Sequence, residues 1–249
     1  MRKDGRPEAE GGGLFAAKMN LKYQHIFFDL DHTLWDFETN SFHSLQDLFK
    51  MFSLADFVPD EKTFIDRYHF HNDIYWDQFR KGEITREVLR AVRFRTTLAE
   101  FGIVNEELVK QLSVSYLEIL PTKTFLFHDT IDVLEYLKKK YSLHIITNGF
   151  EEVQFKKIRN TDIEKYFHHI ITSEAAGSQK PEAAIFKYAM QLTNASVLKS
   201  IFIGDSIEAD INGAKAVGMD YAYYNPKKTP HEEKLMKEIF SLSELKEFL

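Results

Sequence analysis

The 249 residues carry 38 acidic against 32 basic side chains, a net charge of -6, and 44% of them are hydrophobic, enough for a sizeable core in one large or two smaller domains. That balance gives no footprint for a nucleic acid polymer or an anionic membrane, and no apolar run approaches a membrane span. With no cysteine there are no disulfides, thiolate metal sites or thiol catalysis, and the expectation is a cytoplasmic protein.

The first eighteen residues, MRKDGRPEAEGGGLFAAK, mix charges with a glycine triplet and lack the apolar stretch of a signal peptide; residues 1–18 are expected to be a mobile tail. Five short apolar runs then end at a turn or polar residue: HIFFD at Asp29, LHIIT at Thr147, HHIIT at Thr172, SIFIG at Gly204 and DYAYY at Tyr224. They predict buried parallel strands. Between them lie helical patterns. DTIDVLEYLKKKY has Asp129 as its expected N-cap and Ile131, Leu134 and Leu137 on one face, and PEAAIFKYAMQLT has Pro181 suited to a first helical turn. The alternation predicts an α/β fold: a Rossmann-like parallel sheet with helices on both faces.

About ninety residues separate the first strand from the helix after Asp129, far more than a connection needs, and they show helical periodicity throughout. They predict an inserted all-helical cap over residues 37–121, with the catalytic core in 19–36 and 122–249. Within the insert Tyr68, Tyr75, Trp76 and Phe79 fall on one stripe, the chain turns near Gly82, and another helix starts after Thr85. Such aromatic stripes are ordinarily core, and the basic cluster Arg80, Lys81, Arg86 and Arg90 is ordinarily a solvated face. Hinges are expected near Phe37 to Thr39 and Leu120 to Thr124.

The stretch FFDLDHTLWDF ends its strand on two carboxylates, Asp29 and Asp31. Neighbouring carboxylates repel and resist desolvation, so one must be protonated or a cation must lie between them. GDSIEAD adds Asp205 and Asp210 after another strand. Oxygen ligands without cysteine or a histidine cluster favour a hard ion such as Mg2+. In open α/β sheets ligands bind beyond the carboxyl ends of the strands, where Asp29, Thr147 and Asp205 fall. Taken singly, Thr147 is a strand terminator, Lys180 a loop lysine, and Asp205 and Asp210 helix-start acids; their order along the chain is what carries information.

That ordered set, DLDHTL, TNG, QKP and GDSIEAD, resembles the motifs of the haloacid dehalogenase superfamily of aspartate-nucleophile phosphohydrolases from about Ile26 onward, and the long insert resembles its helical cap type. The resemblance implies that Asp29 is the nucleophile, forming an aspartyl-phosphate, and that Asp31 protonates the leaving oxygen and then activates water. It implies Mg2+ held by Asp29, the Asp31 main-chain carbonyl and Asp205, phosphate held by Thr147, Asn148 and Gly149, Lys180 as compensating cation, and Asp210 orienting Lys180 or a metal-bound water.

Asp31 points to phosphoryl transfer, because dehalogenases of this fold lack the second aspartate, and Leu30 stands where ion-pumping ATPases carry lysine. The combination of FFDLDHTLWDF, YWDQFRKGEIT and IITNGFEEVQFKKIRNTDIEKYF is similar to the branch that includes bacterial pyrimidine-type 5'-nucleotidases. It implies a small phosphorylated substrate, a nucleoside 5'-monophosphate. His32, Trp35 and Phe37, beside the catalytic loop, are the expected substrate contacts. A sugar-phosphate phosphatase, a phosphomutase and a catalytically silent binding protein are the rivals; a monomer or weak homodimer is expected.

Overall fold

The computed structural model describes residues 21–249; the expected tail lies outside them. β1 (His25–Phe28) is followed by four helices, α1 (Phe37–Met51), α2 (Glu61–Arg80), α3 (Arg86–Glu100) and α4 (Glu106–Ile119). The chain continues through α5 (Thr130–Leu137), β2 (Ser142–Thr147), α6 (Glu151–Asn160), β3 (Phe167–Thr172), the short α7 (Ser173–Ala176) and α8 (Ala183–Thr193). It closes with β4 (Ser200–Gly204), a π-helical turn Ile207–Ile211, α9 (Asn212–Ala216), β5 (Asp220–Tyr224), β6 (Glu238–Ile239) and α10 (Leu245–Phe248).

The strands form one sheet in the order β3-β2-β1-β4-β5-β6, every neighbour parallel. Side chains alternate between its faces: Ile26, Phe28, Ile145 and Ile203 join one buried cluster, and Phe27, Ile146, Ile171 and Phe202 another. Both faces are therefore covered, as the unbroken apolar runs require. All five predicted strands form. β6, only two residues long, carries too little pattern to be read from sequence.

The insert holds only helices and short helical turns. Each long helix starts at a residue whose side chain accepts a main-chain N–H of the first turn: Asp36 from Thr39 (3.1 Å), Asp60 from Thr63 (2.8 Å), Thr85 from Val88 (3.4 Å) and Asn105 from Leu108 (3.0 Å). The turn after α2 uses Gly82 in the left-handed region, as expected. The aromatic stripe divides. Tyr68 is fully buried and packs on Phe94 and Tyr116, whereas Tyr75, Trp76 and Phe79 pack against a separate cluster of Leu89, Phe150 and Val153.

Three local expectations need correction. Asp129 occupies the N-cap position of α5, its carbonyl accepting from Val133 N (2.9 Å), but its side chain makes no cap bond: the residue is left-handed, and its carboxylate meets His128 Nδ1 at 2.7 Å instead. The buried face of α5 is Thr130, Val133, Leu134 and Leu137, while Ile131 is exposed because it faces away from the sheet. Pro181 lies ahead of α8, which begins at Ala183, and follows a cis peptide bond from Lys180.

The chain crosses between sheet and insert at two places that run side by side. Phe127 N donates to Leu34 O (3.0 Å) and Asp36 N to Phe125 O (3.1 Å) around an antiparallel bridge between Trp35 and Leu126. Asn40, fully buried, ties them together: its Nδ2 donates to Asp36 O (2.6 Å) and Phe125 O (2.8 Å), and its Oδ1 accepts from Phe125 N (3.0 Å). The paired crossing thus lies at Leu34–Asp36 and Phe125–Phe127. Of the expected hinge segments, Phe37 to Thr39 belong to α1 and Leu120 to Thr122 to a helical turn, whereas Lys123 and Thr124 lie in the extended stretch that leads to the crossing.

Candidate active site

β1, β2 and β4 are in register, Phe28 opposite Ile145 and Ile203, so their carboxyl ends emerge together. Asp29 N extends the ladder by donating to Ile203 O (2.9 Å). The next residues close a tight loop: Leu34 N and Trp35 N donate to Leu30 O (3.0 and 2.8 Å), and His32 N donates to Trp35 O (2.9 Å). Leu30 and Leu34 are buried and anchor it, which leaves Asp31 and His32 at the cleft.

Asp29, Asp205 and Asp210 bring one carboxylate oxygen each within 4.8 Å of the others. Lys180 Nζ reaches Asp29 Oδ1 at 2.5 Å and Asp210 Oδ1 at 2.6 Å, and Thr33 Oγ1 donates to Asp205 Oδ1 at 3.0 Å. Burial pushes the Asp29 carboxyl well above its usual range, Lys180 countering and Asp210 and Asp205 adding to the rise. Burial, then Asp210, raises Asp205 to about 7 against Thr33 and Lys180. For Lys180, burial opposes the charge, but Asp210 and Asp29 overcome it and raise its pKa. One ammonium cannot offset three clustered carboxylates, two of them buried. The donor set is all oxygen and fits a hard divalent cation.

Asp210 is placed by the π-helical turn, which brings its Oδ2 to accept from Ser206 N at 3.0 Å. A Cβ on Gly204 would lie 2.3 Å from that carboxylate, so this glycine is needed for the approach. Ser206, rather than Asp205, caps the turn, accepting from Ala209 N (3.1 Å).

The Thr147-Asn148-Gly149 segment is held as much by protein as it is free for a ligand. Thr147 Oγ1 accepts from Gln154 Nε2 (2.7 Å) and Gly149 N (3.2 Å). The Asn148 side chain pins the lysine loop from both sides, its Nδ2 donating to Lys180 O (2.9 Å) and its Oδ1 accepting from Lys180 N (2.8 Å). A Cβ on Gly149 would strike the Gln154 side chain at 2.4 Å.

Asp31 points to α6. Its Oδ1 accepts from Lys157 Nζ (2.6 Å) and its Oδ2 from Gln154 Nε2 (2.9 Å). Both partners are buried, and burial lowers the Lys157 pKa against the pull of Asp31. Sequence reasoning missed this pair. The available signal was two long polar residues at i and i+3 on the same face as Val153 and Ile158, an otherwise apolar stripe.

Above the carboxylates lies a cleft of about 290 Å3 reaching Asp29, Asp31, Lys180 and Asp205, with Trp76 and Arg80 of α2 on its cap side. A neighbouring cavity of about 410 Å3 shares His32, Phe37, Asn72 and Asp73 with it. Phe37 and His32, two of the residues expected to contact substrate, border the cleft, and Trp76, expected to be core, borders it too. Trp35 does not. It is fully buried and carries the Lys157 ammonium 4.3 Å from its ring centre, so it has no face for a ligand.

Of the basic cluster, Arg86 and Arg90 are partly exposed but engaged by the core rather than free in solvent. Both pair with Glu152, Arg86 also with Glu174 (2.7 Å), and both lie over the Phe150 ring at 4.6 and 4.8 Å. They join α3 to α6 and α7.

A family model for haloacid dehalogenase-like hydrolases matches residues 26–224, and the chain belongs to that family. YfnB of Bacillus subtilis is 29% identical over 227 residues, 90% of this chain and 94% of its own. Its crystal structure, bound to magnesium and described as revealing interdomain movement, matches with a TM-score of 0.83 at 28% identity over 91% of this chain and 98% of that one. Pyrimidine 5'-nucleotidase PynA of Streptococcus pneumoniae is 31% identical over 206 residues, 82% of this chain and 84% of its own. Glyceraldehyde 3-phosphate phosphatase of Methanothermobacter thermautotrophicus is 27% identical over 232 residues, 90% and 98% of the two chains. Family, fold and carboxylate cluster together define a phosphatase with an inserted helical cap. Among the described residues no helix is long and apolar enough to cross a membrane.

Proposed function

We propose that the protein hydrolyses nucleoside 5'-monophosphates through an aspartyl-phosphate on Asp29, with Mg2+ as cofactor. The observation that carries the reading is the cluster of Asp29, Asp205 and Asp210 around a single lysine, at the floor of a polar cleft that Phe37 and Trp76 also border. The magnesium of the YfnB crystal structure supports the choice of ion. When bound, Mg2+ supplies positive charge against the carboxylates and the phosphoryl oxygens; Asp29, Asp205 and the Asp31 main-chain carbonyl would hold it, with Asp210 behind them.

Asp29 attacks phosphorus, and the bond to the leaving oxygen breaks as Asp31 gives that oxygen its proton. A water oxygen then attacks the acyl phosphate, the bond to Asp29 breaks, and the water's proton passes to Asp31. Thr147 and the N–H groups of Asn148 and Gly149 hold the phosphoryl oxygens, and Lys180 stabilises the charge that builds on them.

Room favours a nucleoside over a three-carbon leaving group. The cleft and its neighbour share four wall residues and together reach the several hundred Å3 that substrates of nucleoside size occupy, with Phe37 and Trp76 suited to stack on a base. PynA's name supports this, while the glyceraldehyde 3-phosphate phosphatase supports a sugar-phosphate substrate in the same site. Phosphate release from a panel of nucleoside monophosphates, sugar phosphates and small phosphorylated acids, with Mg2+ and with chelator, tests the reading. Preference for nucleotides, lost on chelation and reduced by Trp76→Ala, is expected; preference for three-carbon or sugar phosphates overturns the substrate assignment.

A further inference from the structure

Asp31 has two oxygens, and the structure gives each to a different residue of one helix face. Lys157 takes Oδ1 at 2.6 Å and Gln154 takes Oδ2 at 2.9 Å. The Gln154 amide orientation is fixed by chemistry, because a carboxylate oxygen needs a donor; the same Nε2 donates to Thr147 Oγ1 at 2.7 Å. One amide nitrogen thus spans the carboxylate beside the leaving group and the hydroxyl that faces the phosphate. Lys157 is fixed in turn, its side chain 3% exposed and its ammonium over the Trp35 ring.

As a structural device this arrangement is poor. Burying a lysine beside a partly exposed aspartate costs desolvation that their attraction barely returns, and an apolar residue of similar volume commonly does as well or better. Lys157 already lies against Trp35 and near Phe37, where a methionine would pack. As a device for catalysis it has a clear use: a proton donor and acceptor must be held in place relative to phosphorus.

We propose that Lys157 and Gln154 are positioning residues for Asp31, holding its carboxylate at a set place relative to the phosphate-facing Thr147 so that it reaches both the leaving oxygen and the attacking water. This rests on the reading of Asp31 as the acid and base of the reaction. Gln154 Oε1, buried without a hydrogen-bond partner, borders a small cavity of about 40 Å3 with Asp31, Lys157 and Arg93. That volume has room for one water, whose hydrogen bonds would satisfy the amide oxygen and hold the Gln154 side chain in place.

The test compares two esters with the Mg2+-loaded protein. An alkyl phosphate such as glycerol phosphate needs a proton on its leaving oxygen; p-nitrophenyl phosphate does not. In Lys157→Met the first turnover of the alkyl ester is expected to fall about 100-fold, the scale of acid catalysis, while the first-turnover burst of p-nitrophenolate changes by less than about threefold. Steady-state turnover of the second ester falls, because the water step still needs Asp31 as base. Lys157→Arg restores part of the alkyl ester rate. Gln154→Leu, which leaves the ion pair in place, shows the same ester dependence at smaller amplitude and carries the test if Lys157→Met does not fold. Equal losses on both esters, or no loss, overturn the proposal. Asp31→Asn is the reference: if it lowers both first turnovers alike, the acid and base reading of Asp31 fails, whatever Lys157 does.

Discussion

Lys180 stands 151 residues beyond Asp29 in the chain, yet its ammonium lies 2.5 Å from the Asp29 carboxylate, with both side chains nearly sealed from solvent. The Asn148 side chain makes the meeting possible by fixing the main chain of Lys180 on both sides. Removing that charge leaves three carboxylates facing one another. Lys180→Met is expected to cost about 3 kcal/mol of stability in chelator, the order of losing one partner of a buried ion pair, with part regained in Mg2+. Urea unfolding under both conditions measures it; equal stability with and without the lysine would refute the compensating role.

Asp29→Asn separates chemistry from folding. The amide cannot form the acyl phosphate, so turnover is expected to fall by about four orders of magnitude or more. The same change removes a carboxyl that burial, with Asp210 and Asp205 adding to it, makes costly to ionise. The variant should therefore unfold no earlier than the parent in metal-free buffer. Residual turnover near the parental rate, or a large drop in melting temperature, would contradict this.

Metal affinity should depend on pH around neutrality. In the metal-free protein Asp205 is raised to about 7 from 3.8, so between those values the native state holds a proton that the unfolded chain releases. Stability of the metal-free protein then falls as pH rises through that window. Mg2+ must displace the same proton, and its affinity is expected to drop about tenfold from pH 8 to pH 6. Calorimetric titration in buffers of different ionisation enthalpy reads both the affinity and the proton release.

Acid should weaken the sheet through His144. Burial, then His25, His169 and His168, lowers its pKa to about 3, and it pairs with His25 across a 3.1 Å nitrogen contact while stacking on Phe27. A histidine with a depressed folded pKa leaves the unfolded chain holding the extra proton, so stability is full above about 6.5 and declines as pH falls toward 3. About 2 kcal/mol should be lost between pH 7 and pH 5 on this account, and His144→Leu should remove most of that slope in urea titrations at the two pH values.

The contact between α3 and the core should depend on Phe150 more than on its ion pairs. Arg86 and Glu152 are partly exposed, and such pairs contribute little singly. Phe150 lies under both arginines and packs with Trp76 at 5.6 Å. Phe150→Ala is expected to raise amide exchange in the first turn of α3 and to raise KM about tenfold, with Arg86→Ala doing less than half as much on a logarithmic scale. An unchanged exchange pattern in Phe150→Ala would remove the aromatic contact as the link.

The strands could be read because apolar runs such as SIFIG are buried on both faces and stop where chemistry begins. Asp29, Thr147, Lys180, Asp205 and Asp210 could be singled out because the motifs that hold them, DLDHTL, TNG, QKP and GDSIEAD, follow one another along the chain in the family's order. Gln154 and Lys157 left only a faint signal, two polar residues on an otherwise apolar stripe. A long polar side chain on a helix is ordinarily solvated, and only packing of α6 against the loop of Asp31 turns that face inward. Trp35 misled for a related reason: closeness in sequence to a catalytic aspartate says nothing of which way a tight loop turns its side chains. Asp129 shows the limit of residue type, since the left-handed conformation at that position turns its carboxylate from the helix it precedes.

The two crossings between sheet and insert are bonded to each other through Leu34, Asp36, Phe125 and Phe127 and clasped by Asn40. Two independent strings would let the insert slide, tilt and swivel. A laced ribbon bends about one line and resists shear, because sliding one strand past the other breaks every bond between them. A displacement of the four helices about this ribbon is expected to follow nearly a single coordinate, an arc that would carry Trp76 and Arg80 together relative to Asp29. Asn40→Ala would loosen the kinematics rather than the chemistry, giving a site that still reacts but meets its substrate from many angles.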